Sequence, residues 1–423
     1  MGDSSQTDRL PGTALQPLKS TPPLEHLCSA VLAGVLFVGA VAGVESRARF
    51  VAGREIAALG RASFGQKARG LLLQRAALQR GDVLPLYGSS EVADQRIGVF
   101  HAKEFFSSEP SGFSVFAVGG VGIPPMQTMV NLGALGNDLR GKKVAISLPA
   151  DWFVQVQPLR NPGYAANFSP LQALEVLLTP SLSDPLKRRI AARLLQGPEP
   201  LESNRLIALM ARQQAERGRS TSALRRVLMP VSWLQLQLLE AQDAVLVNAQ
   251  RLASRATPRT LAVAAPFDWP ALVEQATLAY TPRAAHNPFG IADDWWKLHH
   301  DWIVARDHVT DDERFLREIS VSEVWGDLEL LCQTLNELGA RPLILSMPFD
   351  GKFLDYSGVS ADARRQVYAR LRDLTGRYGI RSVILDDHET DPYFFYDEWS
   401  HLSPKGWVFY DQALDAFYHD ASR

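Results

Sequence analysis

The tetrapeptide Gly88-Ser89-Ser90-Glu91 follows the short apolar run Val83-Leu84-Pro85-Leu86-Tyr87. A strand that ends in glycine and a small polar residue sets a serine at the carboxyl edge of a parallel sheet, where open α/β folds bind ligands. A serine hydroxyl there becomes a useful nucleophile when a base takes its proton. Nearby backbone N–H groups would then face the oxyanion of an acyl-transfer reaction. The competing assignment is structural, because a serine after a strand commonly caps the next helix. The chain has no Gly-x-Ser-x-Gly run, so the usual α/β-hydrolase elbow is not supported.

Nine histidines are available as the base. His26 borders an apolar run. His299 and His300 are adjacent and lack metal-ligand spacing. His388 follows Asp386-Asp387. His401 stands in Asp397-Glu398-Trp399-Ser400-His401-Leu402-Ser403-Pro404, just before a helical pattern that opens at Pro404. A carboxylate close upstream can fix the imidazole tautomer and stabilise its protonated form. Without such a partner, His401 is a surface loop residue. The sequence carries no Cys/His cluster with zinc spacing and no phosphate-binding loop, so no cofactor or metal is expected.

The elements that must position these residues read as α/β. Apolar runs at 83–87, 113–118, 143–148, 342–348 and 382–385 alternate with helical stretches at 124–135, 328–338, 360–378 and 404–418. That alternation predicts a parallel sheet flanked by helices. Residues 166–256 carry no convincing strand and show apolar spacing of helical period, which predicts a helical insertion. The 423 residues suffice for one large α/β domain, 46% are hydrophobic, and the net charge is −2. That balance gives no basic stripe, so nucleic acid is not an expected partner.

The N-terminus predicts a membrane segment. Leu27 to Val44 carries no charged side chain, close to the ~20 residues a helix needs to cross the hydrocarbon core. A signal peptide has a shorter apolar region nearer the start. The expected organisation is a polar tail over 1–23, a transmembrane helix over 24–45, a helical stalk over 46–80 and an α/β domain over 81–423. The arginines at 47, 49 and 54, read by charge alone, would put the domain on the cytoplasmic side. Cys28 and Cys332, one in the apolar run and one far downstream, are not expected to pair.

An early Ser90 and a late acid-x-x-His401 framing an α/β chain resemble the SGNH-hydrolase superfamily. Further stretches narrow the likeness to the DltD family: Leu84-Pro85-Leu86-Tyr87-Gly88-Ser89-Ser90-Glu91, Gly119-Gly120, Trp152-Phe153, Phe289-Gly290-Ile291, Trp296-Lys297-Leu298, Asp327-Leu328-Glu329-Leu330-Leu331, Arg364-Arg365-Gln366-Val367-Tyr368, His401-Leu402 and Lys405-Gly406-Trp407. The resemblance implies that Ser90 is the nucleophile and that Ser90 with Gly119 or Gly120 forms the oxyanion hole. The side-chain donor many superfamily members add is not evident, since Pro149-Ala150-Asp151-Trp152 offers no Asn. The family carries Asp three residues before the histidine. Here Glu398 stands there and Asp397 one residue earlier, and the spacing favours Glu398 as the triad acid.

The resemblance further implies an extracytoplasmic domain on a single-pass anchor in the cytoplasmic membrane, against the local charge count. It implies D-alanyl transfer to a cell-surface polymer such as teichoic acid. The implied partners are a membrane-bound O-acyltransferase and a D-alanyl carrier protein. The same triad would also serve an esterase or thioesterase. A scaffold that recruits the carrier and does no chemistry is the third expectation.

Overall fold

The five apolar runs become five parallel strands: β1 (Val83–Tyr87), β2 (Ser114–Val118), β3 (Lys143–Ser147), β4 (Arg341–Ser346) and β5 (Arg381–Ile384). The computed structural model describes residues 23–62, 64–216, 219–253, 265–398 and 401–420. The strand order is β2-β1-β3-β4-β5. The chain steps from β1 outward to β2, then crosses back over β1 to β3 and onward. Strand order therefore reverses between β1 and β3, which opens a crevice at their carboxyl ends. β1 and β2 are buried along their whole length, as expected for a sheet with helices on both faces.

The helices fall where the patterns predict. Pro125–Leu135 carries proline in its first turn and packs against Val324–Leu338, which stops at Gly339. Ala361–Arg377 precedes β5, and Pro404–His419 closes the chain. The Ser403 hydroxyl caps that last helix by accepting from Gly406 N–H, which satisfies one of its free N-terminal donors.

Between β3 and β4 the described residues form helices and no strand. The expected insertion is thus helical, from Pro162–Asn167 to the long Arg219–Ala253. Its Arg193 grips Asp327 with two hydrogen bonds of 2.6 and 2.9 Å. The resembling stretch at 327–331 therefore ties the insertion to the helix ahead of β4. Arg364, in another such stretch, is buried against Glu389 and Asp355.

The chain divides into two units, Met1–Val44 and Glu45–Arg423. The helix Pro23–Arg61 is long and apolar enough over His26–Ile56 to cross a membrane, with mean hydropathy 2.4. Its Leu27, Val35, Phe37 and Val38 are exposed, consistent with a single-pass anchor. The expected tail lies outside the described residues apart from its last position.

Residues 46–80, read from sequence as a stalk, belong to the second unit and bury Ala48, Ala52, Ile56, Leu71 and Leu78. The segment is held by the insertion: the buried Asp243 carboxylate accepts from Gln66 Nε2 and from Leu71 and Leu72 N–H. Lys67 is also buried and donates to the Gly60 and Ala62 carbonyls at 2.5 and 3.0 Å. These oxygens end the long helix, where carbonyls lack intrahelical partners.

Candidate active site

Ser89 and Ser90 sit at the carboxyl end of β1 and do different work. Ser89 Oγ accepts from Ile123 N–H at 3.0 Å and donates to the Gly120 carbonyl at 3.3 Å. Ser89 N–H donates to Glu91 Oε1 at 2.9 Å. Every polar group of Ser89 named here is committed to holding the turn. Ser90 is half-buried and opens the four-residue helix Ser90–Ala93. Its hydroxyl has no hydrogen-bond partner among the described residues, and an N–H in that first turn has no intrahelical acceptor. Ser90, not Ser89, thus keeps a free hydroxyl at the sheet edge.

The loop after β2 lies against this turn. A Cβ on Gly119 would stand 2.6 Å from the Ser89 carbonyl, a contact only a glycine allows. Gly120 is reached by the Ser89 hydroxyl. Both glycines named from sequence as oxyanion-hole candidates are therefore beside the serine pair.

His401 reaches the site from the loop before the last helix. Phe395 and Leu402 form an antiparallel bridge, and Tyr396 N–H donates to the His401 carbonyl at 2.9 Å. Within that closed turn Asp397 grips His401 twice. Its Oδ1 accepts from His401 N–H at 3.1 Å and its Oδ2 lies 2.5 Å from Nδ1. Glu398 turns elsewhere, accepting from Trp295 Nε1 through Oε2 at 2.6 Å. The spacing argument for Glu398 is corrected by this geometry: the carboxylate on the imidazole is Asp397. The pair resembles the acid–histidine half of a hydrolytic triad, with Nδ1 engaged and Nε2 left to act as base.

Electrostatics agree with that arrangement. Burial disfavours the His401 imidazolium, but the Asp397 hydrogen bond and charge outweigh it, and the ring sits above its ordinary value. Arg96 adds a cation close by, 4.0 Å from Asp397 and 2.8 Å from Asp94, with its guanidinium 4.1 Å from the Tyr396 ring centroid. Sequence reasoning passed over Arg96. Its signal was Asp94-Gln95-Arg96 immediately after the serine helix.

The other histidines do not enter the site. His388 pairs with Asp391 at 2.8 Å and stacks on Phe394. His299 lies on the Trp295 ring, and His300 points to Asp301. His101, buried against Trp407, contacts the Glu91 carbonyl, and burial holds its pKa down at about 3. It is a neutral brace under the serine helix.

Glu91 is buried beside Ser90, with its carboxyl group pushed above the usual range by desolvation. His401 is close enough for its charge to act on Glu91. Asp151, just past the end of β3, is in electrostatic reach of Glu91, His401 and Asp397. Glu91, the residue after Ser90, thus shares one electrostatic neighbourhood with His401 and Asp151. From Asp151 and Glu398 a cavity of about 240 Å³ runs between Trp302, Phe349, Phe353 and Arg306. Among the described residues no group of His, Cys, Asp and Glu could hold a metal ion.

A family model described as DltD protein matches residues 62–419. The chain belongs to the DltD family. Protein DltD of Bacillus subtilis (strain 168) is 25% identical over 390 residues, covering 92% of this chain and 96% of that protein. Protein DltD of Staphylococcus aureus (strain NCTC 8325 / PS 47) is 25% identical over 353 residues, covering 82% and 84%. The match spans all five strands and the helical insertion. The DltD family is involved in D-alanylation of teichoic acid.

Proposed function

We propose that this chain is a serine acyltransferase that carries D-alanyl groups to a cell-surface polymer. The observation that supports it most is the Ser90 hydroxyl at the sheet's switch point, without a partner among the described residues, together with His401 held by buried Asp397 and acting electrostatically on Glu91 next to Ser90. His401 Nε2 takes the Ser90 proton as Oγ bonds to the carbonyl carbon of an activated D-alanyl ester. The carbonyl π pair moves to oxygen and is met by N–H groups of Ser90 and the Gly119–Gly120 loop. When the tetrahedral species collapses, the bond to the leaving group breaks and His401 returns the proton to it. A polymer hydroxyl repeats the sequence on the D-alanyl-Ser90 ester, which restores the free enzyme.

The DltD family works within the D-alanylation pathway. A membrane-bound O-acyltransferase and the D-alanyl carrier protein are the proposed partners, and teichoic acid is the proposed acceptor. We place the α/β unit on the extracytoplasmic side, because the acceptor polymer is there. The helix over His26–Ile56 would be the anchor.

The test is Ser90→Ala in the full chain, read by mass spectrometry of envelope polymers and by trapping of the acyl-enzyme. Loss of polymer D-alanine together with loss of the Ser90 adduct is expected. Full retention of D-alanylation would mean a scaffold. An adduct released to water as fast as to a polyol would mean a hydrolase.

A further inference from the structure

An acyl-transfer site commonly adds a side-chain donor to its backbone N–H groups, and the stretch Pro149-Ala150-Asp151-Trp152 after β3 offers no asparagine for that role. Asn167, beside Gly120, is already spent: its Nδ2 donates to the Val121 and Gly163 carbonyls at 2.8 and 2.7 Å. Ser89 is committed to the turn. At the carboxyl end of β3 the Ser147 hydroxyl faces the Tyr410 hydroxyl at 3.4 Å, and Asp151 is the next polar side chain along the chain. It lies where β3 runs beside β1, and these strand ends are tightly apposed: a Cβ on Gly88 would stand 3.0 Å from the Ser147 Cβ. One Asp151 oxygen, Oδ1, is buried and has no hydrogen-bond partner among the described residues. A buried polar atom without a partner in a crevice is a group waiting for one.

We propose that Asp151 is the side-chain donor of the oxyanion hole, its carboxyl O–H hydrogen-bonding the oxygen that gains charge when Ser90 attacks. The proposal rests on the acyl-transfer reading above. A carboxylate would repel an oxyanion, so the role requires the acid form. Surroundings supply it: desolvation is the main cause and the neighbouring Glu91 carboxyl the next, and together with Asp397 they outweigh His401 and push the Asp151 pKa up to about 8. On its cavity side Asp350, Glu398 and Glu318 add carboxyl groups, while Arg306 and Arg314 add the cations. Like charges crowded out of water cannot all ionise. A carboxylic acid kept neutral to donate a hydrogen bond is an established device of oxyanion stabilisation. The competing occupant of Asp151 is the ammonium group of a D-alanyl ester, which would need the ionised form.

The experiment compares Asp151→Asn, Asp151→Ala and wild type in the full chain in detergent. The probes are p-nitrophenyl acetate, which has no amine, and the p-nitrophenyl ester of D-alanine. The readouts are nitrophenolate release, KM, kcat and the pH profile. Asp151→Asn still donates N–H, so it is expected to keep acylation within a few-fold and to lose the alkaline limb near pH 8. Asp151→Ala is expected to lower kcat on both esters by roughly 100-fold, the usual effect of removing one such donor, with KM little changed. Equal damage by Asn and Ala, loss confined to the D-alanyl ester, or an unchanged alkaline limb would each overturn the assignment. Thermal unfolding of both variants separates a folding defect from a lost donor. Ser90→Ala with undiminished nitrophenolate release would instead remove the acyl-transfer reading itself.

Discussion

Glu398 Oε2 accepts from Trp295 Nε1 at 2.6 Å, while its neighbour Asp397 holds both the backbone and the ring of His401. Consecutive carboxylates thus hold different partners. Asp397→Asn is expected to lower kcat by about 10,000-fold, since the amide holds the wrong tautomer. Glu398→Gln keeps an acceptor for Trp295 and is expected to stay within about tenfold, the worth of one ordinary hydrogen bond. Steady-state acyl release from the two variants checks the order. The reverse order would return the triad acid to Glu398.

The pH profile carries a second expectation. As the proposed base His401 must be neutral, and its pKa lies above the ordinary imidazole value. Activity should therefore rise with pH through that raised value, later than a free imidazole would allow. Arg96 lowers the His401 pKa and Asp397 raises it. Arg96→Met is expected to move the acid limb to higher pH, and Asp397→Asn to lower pH. Initial rates between pH 5 and 9, the range where histidine ordinarily switches, read both shifts.

Lys67 predicts a pH dependence of stability. Burial brings its pKa down to about 7 from 10.5, the Lys103 charge adding to it. Between these values the unfolded chain binds the proton and the folded chain does not. Stability should then rise as pH climbs from about 7 toward the unfolded value, and the Lys67 contribution should level off below about 7, where both states bind the proton. Lys67→Met, which has no proton to bind, is expected to flatten that rise. Melting temperatures of the two proteins at pH 6.5 and 9 provide the comparison.

Asp243 joins the insertion to the segment after the long helix. Asp243→Ala leaves the N–H groups of Leu71 and Leu72 without their acceptor. Removing a charged acceptor from buried donors costs about 3 kcal/mol, and chemical denaturation should read that loss. Asp243→Asn, with one acceptor oxygen left, is expected to lose less.

The sheet was largely legible in the sequence. Buried parallel strands are short apolar runs bounded by glycine and proline, and all five runs became strands within a residue or two. The place of Ser90 at the end of β1 was legible because the apolar run stops at Gly88. The choice between Asp397 and Glu398 was not legible. In an irregular loop, side-chain direction follows from the closure of the turn, here the Phe395–Leu402 bridge, and residue counting does not encode it. The place of residues 46–80 was hidden for a similar reason. Their partner, Asp243, lies far along the chain in a helix whose pattern resembles any surface helix. Asp151 carried no motif, and only the crowding of carboxyl groups around it makes it distinctive.

A parallel sheet with a helical insertion between β3 and β4 spreads the proposed chemistry over nearly the whole length of the chain. Ser90 follows the first strand, whereas His401 precedes the final helix. Synthesis runs from the N-terminus, so a nascent chain displays Ser90, the proposed nucleophile, long before the proposed base His401 exists. Until the closing helix docks, Ser90 is an ordinary alcohol. On the proposed reading the topology itself keeps an unfinished molecule chemically silent, and a chain truncated ahead of Asp397 would remain so.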